Sequence, residues 1–447
     1  MATRPRPPDD PVALLQQRTS YRNGWARKNV EDSSQVTWKA ELKASPRVAI
    51  IGGGISGLCC ARELAKHGIR SVVFDSGKRG VGGRLGTRST EDGSLSGYRP
   101  RNNRLKFDHA CQFITEGNDA RFGPLLSEWL EDGLLNEWKG PLAKMEGGRV
   151  REIRDAKPMY VAPEGMRMFA DKLGSRLERD GLVKIQSPFW VAKMKADEAS
   201  GQWQLTNKRG ELGGEGGFDL TVIAHNGKCA NSLVGPAGAP KVARQLMKLR
   251  LSAAWVVLVA FNQLPKEAQS FEGLYAAGGP LAFAANNTSK LDSNPSTGGL
   301  SCWTLISTNE YAQRNKVPQE ALTEEVEKQI SQELLEGFKL TLGASDLPTP
   351  VFIKCQLWGA ALPLNSPLVD CIFDSGSRVA VVGDWLLGSS VAHAAVSGTE
   401  GARRIASLAR REQGLDLGLD AEFKPLSPLP IPPPSTLAAT KQGVVHC

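Results

Sequence analysis

The sequence predicts a two-domain α/β (α+β) fold in which one domain is assembled from separated segments and a second, mixed-sheet domain is inserted between them. An apolar strand at 47–51 enters a glycine turn and a helical stretch, and another strand follows at 71–75. A further apolar strand, 378–384, enters glycine and a long helical stretch near the other end. Because βαβ elements of this kind build nucleotide-binding sheets, both ends are assigned to one Rossmann-type domain. Its predicted segments are 46–115, 162–228 and 374–412, and the substrate domain takes 116–161 and 229–373.

The flanking segments are predicted to lie outside the fold. Residues 1–45 form a flexible N-terminal extension, and 413–447 form a proline-rich tail without periodicity. The N-terminus lacks the apolar region of a secretory signal. We expect a cytoplasmic protein, with a plastid or mitochondrial address as the alternative because the extension contains several arginines.

Composition excludes several classes of function. The net charge of +8 is spread along the chain, and no nucleic-acid motif accompanies it, so no nucleic-acid partner is expected. The longest apolar run, 251–261, is shorter than the ~20 residues of a membrane helix, so no membrane span is expected. Eight cysteines without a C-x-x-C pair and five scattered histidines predict neither a disulfide framework nor a metal site.

The first glycine-rich turn predicts a dinucleotide site. It fits G-x-G-x-x-G between a strand and a helix, where glycines permit a tight turn and close approach to a pyrophosphate. The free amides at the helix N-terminus favour the phosphates. Asp75, at the end of the next strand, is placed to accept hydrogen bonds from a ribose. The residues predicted to bind the dinucleotide here are Gly52, Gly54, Ile55, Ser56 and Gly57.

A second glycine-rich loop, RGVGGR at 79–84, distinguishes between two cofactors. It comes directly after the strand that carries Asp75, so its glycines can close on the same dinucleotide and Arg84 can add charge at the pyrophosphate. A third element, Gly383-Asp384, offers a carboxylate to a second polyol, and the helix starting near Ser390 directs its positive dipole end at the pyrimidine end of a flavin ring. Three separated elements around one extended dinucleotide favour FAD over NAD.

These motifs together resemble the renalase-like branch of the flavin amine oxidase superfamily. The similarity rests on GGGISGL…VVFD, GKRGVGGRLGTR, FDHACQF, YVAPEGM and VVGDWLLGSSVAHAAVSG. It implies a two-domain fold of the p-hydroxybenzoate-hydroxylase type, non-covalent FAD, and oxidation of a reduced nicotinamide with O2 as electron acceptor. The chain departs from relatives at 356–358, where Gln-Leu-Trp replaces the frequent His-Arg-Trp.

The resemblance also assigns site residues by position. Asp108, His109 and Gln112 match a segment that passes near the flavin in relatives. The positions matched to cofactor motifs are Arg79, Gly82, Gly83, Arg84, Gly383, Asp384, Ser390, Val391 and Ala392. The pocket candidates are His109, Gln112, Trp303, Trp358, Trp385 and His393, for each of which ordinary core packing is the alternative interpretation.

Three functions are compatible with these residues. The first is an FAD-dependent oxidoreductase, an oxidase that passes hydride from a small dihydronicotinamide-type substrate to flavin and then to O2. The second is a flavin amine oxidase. The third is a flavin-binding redox protein without turnover.

Overall fold

The computed structural model describes residues 34–95, 104–146, 148–154, 156–264, 270–291, 299–318 and 322–426. In chain order the strands are β1 (Arg47–Ile51), β2 (Arg70–Phe74), β3 (Thr87–Ser89), β4 (Lys106–Asp108), β5 (Ile114–Thr115), β6 (Asn136–Glu137), β7 (Leu142–Glu146), β8 (Arg149–Glu152), β9 (Met159–Val161), β10 (Val183–Gln186), β11 (Lys193–Asp197), β12 (Gln202–Thr206), β13 (Leu220–Ile223), β14 (Ala254–Phe261), β15 (Gly273–Tyr275), β16 (Leu281–Asn286), β17 (Ser301–Ser307), β18 (Phe352–Trp358), β19 (Asn365–Ser366), β20 (Ile372–Asp374), β21 (Val379–Val381) and β22 (Lys424–Pro425).

The helices alternate with these strands along the chain. They are α1 (Ile55–Lys66), α2 (Gly123–Glu131), α3 (Met166–Glu178), α4 (Gly227–Val234), α5 (Pro240–Lys248), α6 (Asn287–Lys290), α7 (Asn309–Arg314), α8 (Glu324–Leu342) and α9 (Val391–Ala409). Two 3-10 turns, Gly83–Leu85 and Asp384–Leu386, lie within predicted cofactor motifs.

A six-stranded sheet in the order β10-β2-β1-β13-β21-β20 forms the first domain. Its strands are parallel except for β20, and β1 lies between β2 and β13. The central strands β1 and β13 are buried apolar runs, as expected for a sheet covered on both faces. Strands from both ends of the sequence therefore join one sheet, as the sequence predicted.

Helices α1 and α9 pack together with little room between their backbones. A Cβ added at Gly398 in α9 would lie 2.1 Å from the carbonyl oxygen of Ser56 in α1. A Cβ at Gly401 would lie 2.4 Å from Cγ1 of Val382, below the same helix. The two helices that come after the predicted cofactor motifs thus depend on glycine for their close contact.

The second domain is a seven-stranded sheet in the order β18-β14-β17-β16-β15-β7-β8. Every residue of β14 is buried. Trp255, Val257 and Val259 share a core with α8, whereas Val256 and Leu258 share a core with Phe107 of the first part of the chain. Because both faces of β14 are covered, its sequence shows no polar alternation.

Three predicted boundaries differ from the structure. Helices α4 and α5, assigned to the substrate domain, pack in the core of the six-stranded sheet, so a boundary near residue 250 fits the packing better than 229. Val36 is buried and Trp38 packs edge-on against Trp203, so part of the N-terminal extension belongs to the fold. Residues 413–426 also contact the fold, since Phe423 stacks on Trp385 and β22 pairs with β19. The remainder of both predicted flanking segments lies outside the described residues.

The close contact between α1 and α9 predicts that Gly398→Ala destabilises the protein, although helix propensity alone predicts stabilisation. Alanine is ~1 kcal/mol better than glycine in a helix interior, so Gly398→Ala would stabilise a helix with free space. Because the added Cβ meets the Ser56 carbonyl, we expect a loss of about 1–3 kcal/mol in the free energy of unfolding, measured in urea. Thr399→Ala, at the next position of α9, which is half-buried, is the control and should change the free energy of unfolding by ~0.5 kcal/mol or less. A more stable Gly398→Ala variant would contradict the proposed packing.

Candidate functional site

The predicted cofactor motifs converge at the carboxyl edge of the six-stranded sheet. The glycine turn follows β1, Asp75 follows β2, His225 lies just beyond β13, and Gly383-Asp384 follows β21. Because these four strands are parallel neighbours, their carboxyl ends open onto one crevice, where ligands of open α/β sheets bind.

The first glycine turn is held by backbone contacts that exclude a side chain. Gly52 has φ of +117°, and a Cβ there would lie 2.5 Å from the Ala224 carbonyl oxygen. A Cβ on Gly57 would lie 2.0 Å from the Gly52 carbonyl oxygen. The Asp75 carboxylate accepts 2.7 Å hydrogen bonds from the N–H groups of Gly53 and Gly77. Gly52, Gly57 and Asp75 are therefore needed for the conformation of the turn itself.

Gly54 differs from its neighbours because nothing in the described chain requires it to be glycine. Its φ is −75°, which any residue adopts, and no heavy atom lies within 4 Å of an added Cβ. It stands immediately before the N-terminus of α1, with its free amides. A ligand that approaches this backbone closely would account for the glycine, so the turn fits a dinucleotide phosphate.

The second glycine-rich loop contacts the first. Gly82 has φ of +119° and donates its N–H to the Gly53 carbonyl at 2.8 Å. A Cβ on Gly83 would lie 3.9 Å from Cα of Gly54. The prediction that this loop returns over the same mouth of the sheet is confirmed.

Arg84 joins the second loop to the C-terminal motif. Its Nη2 lies 2.5 Å from Oδ1 of Asp384, and its Nη1 donates to the Ala361 carbonyl at 2.9 Å. The nearby Asp384 carboxylate raises the pKa of Arg84 above its usual value. Residues 300 positions apart are thereby brought together at the crevice. Arg79, by contrast, is exposed and donates to the Gly93 carbonyl, away from the two glycine turns.

The N-terminus of α9 completes this edge. The Ser390 hydroxyl caps the helix by accepting the N–H of His393 at 3.0 Å. Ala392 is buried in the same core as Ile55 and Leu85, which ties α9 to both glycine motifs. Burial lowers the pKa of His393, against the opposing effect of the Asp384 carboxylate.

His109 and Trp358 form a stacked pair between the two domains. Their ring centroids are 5.3 Å apart at 17°, and the Trp358 indole N–H donates to the His109 carbonyl at 3.2 Å. Burial, followed by the positive charges of Arg88 and Lys354, lowers the pKa of His109 to about 3. The imidazole is therefore neutral at physiological pH.

Gln112 belongs to a buried polar network instead of the stacked pair. Its Nε2 donates to the Asp108 carbonyl at 2.8 Å, and its Oε1 accepts from Lys290 at 3.0 Å. Lys290 Nζ lies 3.0 Å from the Asp108 carboxylate, and both side chains are fully buried. Asn287 accepts the Asp108 N–H, so α6 of the second domain holds the segment that carries His109. Lys290 was not predicted from the sequence, because its neighbours NTSKL carry no recognisable motif.

Two of the candidate tryptophans are core residues. Trp303 is fully buried and packs on Phe338 of α8, with centroids 5.0 Å apart. Trp385 is buried against Leu246 and Leu249 below α4 and α5. Neither side chain reaches the stacked pair, because each sits in a separate core.

The described residues contain no group of three or more side chains suited to a metal ion. In the same ranges, no helix combines the length and the apolar character required to cross a bilayer.

Part of the chain is similar in sequence to known proteins. Residues 50–129 match the family model of the NAD(P)-binding Rossmann-like domain. The glutamate synthase [NADPH] small chain of Halomonas elongata is 33% identical over 115 residues. That match covers 25% of this chain and 22% of the relative, so it concerns a fraction of either protein.

Solved structures match over most of the chain at low identity. Cyclohexylamine oxidase from Brevibacterium oxydans IH-35A covers 82% of this chain and 100% of its own, with a TM-score of 0.57 and 13% identity. Reduced UDP-galactopyranose mutase covers 81% and 96% (TM-score 0.57, 12% identity), and wild-type putrescine oxidase bound to putrescine covers 80% and 98% (TM-score 0.54, 12% identity). The predicted two-domain α/β fold class is confirmed, and identities this low establish the fold alone.

The buried ion pair predicts a large stability effect. Lys290→Met leaves the Asp108 carboxylate buried without its cation, which should cost about 3–5 kcal/mol in the free energy of unfolding. Lys172→Met, which breaks an exposed ion pair with Glu164, is the matched control and should cost ~1 kcal/mol or less. Equal losses in urea denaturation for the two variants would contradict this role for Lys290.

The depressed pKa of His109 predicts a loss of stability in mild acid. Because the folded value lies near 3 and the unfolded one near 6.5, the unfolded chain takes up this proton first. The contribution is therefore fully present above about pH 6.5 and is lost as pH falls toward 3; by pH 5 the loss amounts to about 2 kcal/mol in the free energy of unfolding.

Urea denaturation at pH 7 and pH 5 measures this effect. The free energy of unfolding of His109→Gln should differ less between pH 7 and pH 5 than that of the unsubstituted protein. His67→Gln, at an exposed histidine, is the control and should keep the difference of the unsubstituted protein. An unchanged difference in His109→Gln would show that His109 takes up its proton in the folded state.

Proposed function

We propose that this protein is an FAD-dependent oxidoreductase. The single observation that carries the proposal is the open position at Gly54, beside a second glycine loop whose Arg84 pairs with Asp384 from the far end of the chain. A dinucleotide bound there would contact all three elements. FAD is favoured over NAD because the third element lies beyond the first compact βαβ unit.

The residues that would hold FAD divide into two groups. The Gly54 backbone and the α1 N-terminus would receive the pyrophosphate, and the remaining lone pairs of Asp75 would accept from a ribose. Asp384 and the N-terminus of α9 would face the flavin half, with Ser390, Val391 and Ala392 at the start of that helix. Arg84 balances the charge of Asp384 and holds it in place.

Non-covalent binding is supported by Cys111, whose backbone N–H donates to the carbonyl of Arg84 in the second glycine-rich loop. Cys111 donates its S–H to the Phe113 carbonyl, and burial raises its pKa to about 12. A thiol that remains protonated is a poor nucleophile for attachment to a flavin.

Bound FAD would supply hydride-accepting chemistry, with O2 as the proposed final electron acceptor. The protein's own contribution is position and polarity. Trp358 and neutral His109 offer a planar, uncharged wall against which a flat reduced ring, such as a dihydronicotinamide, can lie. The Lys290–Asp108 network fixes the His109 segment, so that wall is rigid. Hydride transfer requires no protein nucleophile.

Amine oxidation is the second candidate. Cyclohexylamine oxidase and putrescine oxidase share the fold over four-fifths of the chain. Peroxide release in a screen of dihydronicotinamides and primary amines distinguishes the two substrate classes.

The visible spectrum of the purified protein tests the cofactor, repeated on the supernatant after acid precipitation. A flavin spectrum released into the supernatant is expected. Flavin retained in the pellet would indicate a covalent link, and failure to bind added FAD would reject the proposal.

Gly54→Val tests the phosphate position proposed at the Gly54 backbone while leaving the fold intact. Because no protein atom lies near its Cβ, the variant should fold, with a thermal midpoint lowered only by the loss of glycine at the N-cap of α1. Its side chain fills the space proposed for the phosphates, so affinity for FAD, measured by flavin fluorescence quenching, should fall at least about tenfold. Gly123→Ala, at a glycine outside the cofactor motifs where an added Cβ makes only an ordinary contact, is the control. Unchanged FAD affinity in Gly54→Val would place the cofactor elsewhere.

A further inference from the structure

We propose that Arg88 and Lys354 bind an anionic group of the substrate beside the His109–Trp358 pair. This inference rests on the proposed function, because it names the class of reduced compound that the oxidoreductase would accept. The anion is a phosphate or a carboxylate, since both present paired oxygens to a cation.

The two cations lie on facing elements from different domains. Lys354, Gln356 and Trp358 alternate along β18 and so share one face of that edge strand. Arg88 lies on β3, and its Nε donates to Oε1 of Gln356 at 3.2 Å. Gln356 therefore links Arg88 to the strand that carries Lys354 and the Trp358 ring.

The Arg88 guanidinium retains its net charge in this setting. Its hydrogen-bond acceptors are neutral oxygens, from Gln356 and from the Ser94 carbonyl. The nearby carboxylate of Asp92 is bound instead to Arg167 at 2.9 Å. Within the ranges that the structure describes, Arg88 forms no ion pair.

Other positive charges lie near both Arg88 and Lys354. Burial, followed by Arg79, lowers the pKa of Arg88, and burial, followed by Arg88, lowers the pKa of Lys354; Glu327 opposes the shift at Lys354. Both cations also disfavour a proton on His109. Cations held near one another in partly buried positions gain from an anion between them, and a guanidinium suits the paired oxygens of phosphate or carboxylate.

This cluster is separate from the proposed FAD contacts. Arg84 is bound to Asp384 and to the Ala361 carbonyl beside the glycine turns. Arg88 instead contacts the sheet of the second domain, at its interface with the first. A substrate ring placed on the Trp358–His109 wall would bring its charged substituent toward Arg88 and Lys354.

Isothermal titration of the FAD-loaded protein with inorganic pyrophosphate and, separately, with malonate tests the proposal. Saturable binding of pyrophosphate alone would identify a phosphate-bearing substrate, and binding of malonate alone a carboxylate-bearing one. Lys354→Met and Arg88→Met should each weaken binding of the favoured probe by about tenfold. Arg151→Met is the matched control, since Arg151 is an exposed cation on β8, at the opposite edge of the same sheet.

Three controls separate the modes of failure. Thermal midpoints establish that the variants fold, and Lys354→Met carries the test if Arg88→Met does not, because Lys354 is half-exposed. Unchanged affinity in Lys354→Met, or no binding of either probe to the unsubstituted protein, overturns the anion site. If FAD itself does not bind, the proposed function fails, and titration of the apoprotein still compares Lys354→Met with Arg151→Met.

Discussion

Close backbone contacts that only glycine permits determine where the rest of the site lies. Gly52 turns against the Ala224 carbonyl, and Gly82 donates to the Gly53 carbonyl. Gly398 brings α9 onto the backbone of α1. A side chain at Gly52 would push the first glycine turn away from the Ala224 backbone, and one at Gly398 would push apart two helices from opposite ends of the chain. The crevice at the carboxyl edge of the sheet therefore exists because these backbones approach so closely.

The interface that holds the second domain against the first combines apolar packing with one buried charge pair. Phe107 shares a core with Val256 and Leu258 of β14, and the next residue, Asp108, meets Lys290. Burying two charges is unfavourable unless geometry and further hydrogen bonds compensate, and Gln112 provides such bonds. The pair contributes little net stability but penalises any displacement of the His109 segment, because either charge would be left buried alone. The position of the two domains at this interface thus depends on electrostatics as well as on the shape of the packed side chains.

The sequence predicted those strands, turns and helices that are determined by residues close together in the chain. Strand β1, the glycine turn and helix α1 follow from residues within one short stretch, and the long helix α8 begins at the Thr323 cap and ends at Gly343 in the left-handed conformation. The Arg84–Asp384 pair was anticipated only as two separate motifs, since spacing says nothing of contact across the sheet. Lys290 was not anticipated, because a lysine becomes recognisable as a buried partner only after β16 and β4 are brought together. Trp385 was a pocket candidate because it follows a cofactor motif, but its ring packs in the core with α4 and α5. Trp303 lies in the other core, as the alternative interpretation held.

The histidines near the site determine how its charge responds to pH. Burial lowers the pKa of His109, His225 and His393, so it disfavours a positive charge on each of the three imidazoles. The charge of the crevice then comes from groups that do not titrate near neutrality. Arg84 and Lys290 have carboxylate partners, whereas Arg88 carries a positive charge toward the domain interface. A site of this kind keeps a constant positive field on one side of an uncharged aromatic wall. Under the proposed function, substrates would be selected there by the charge and planarity of the ligand.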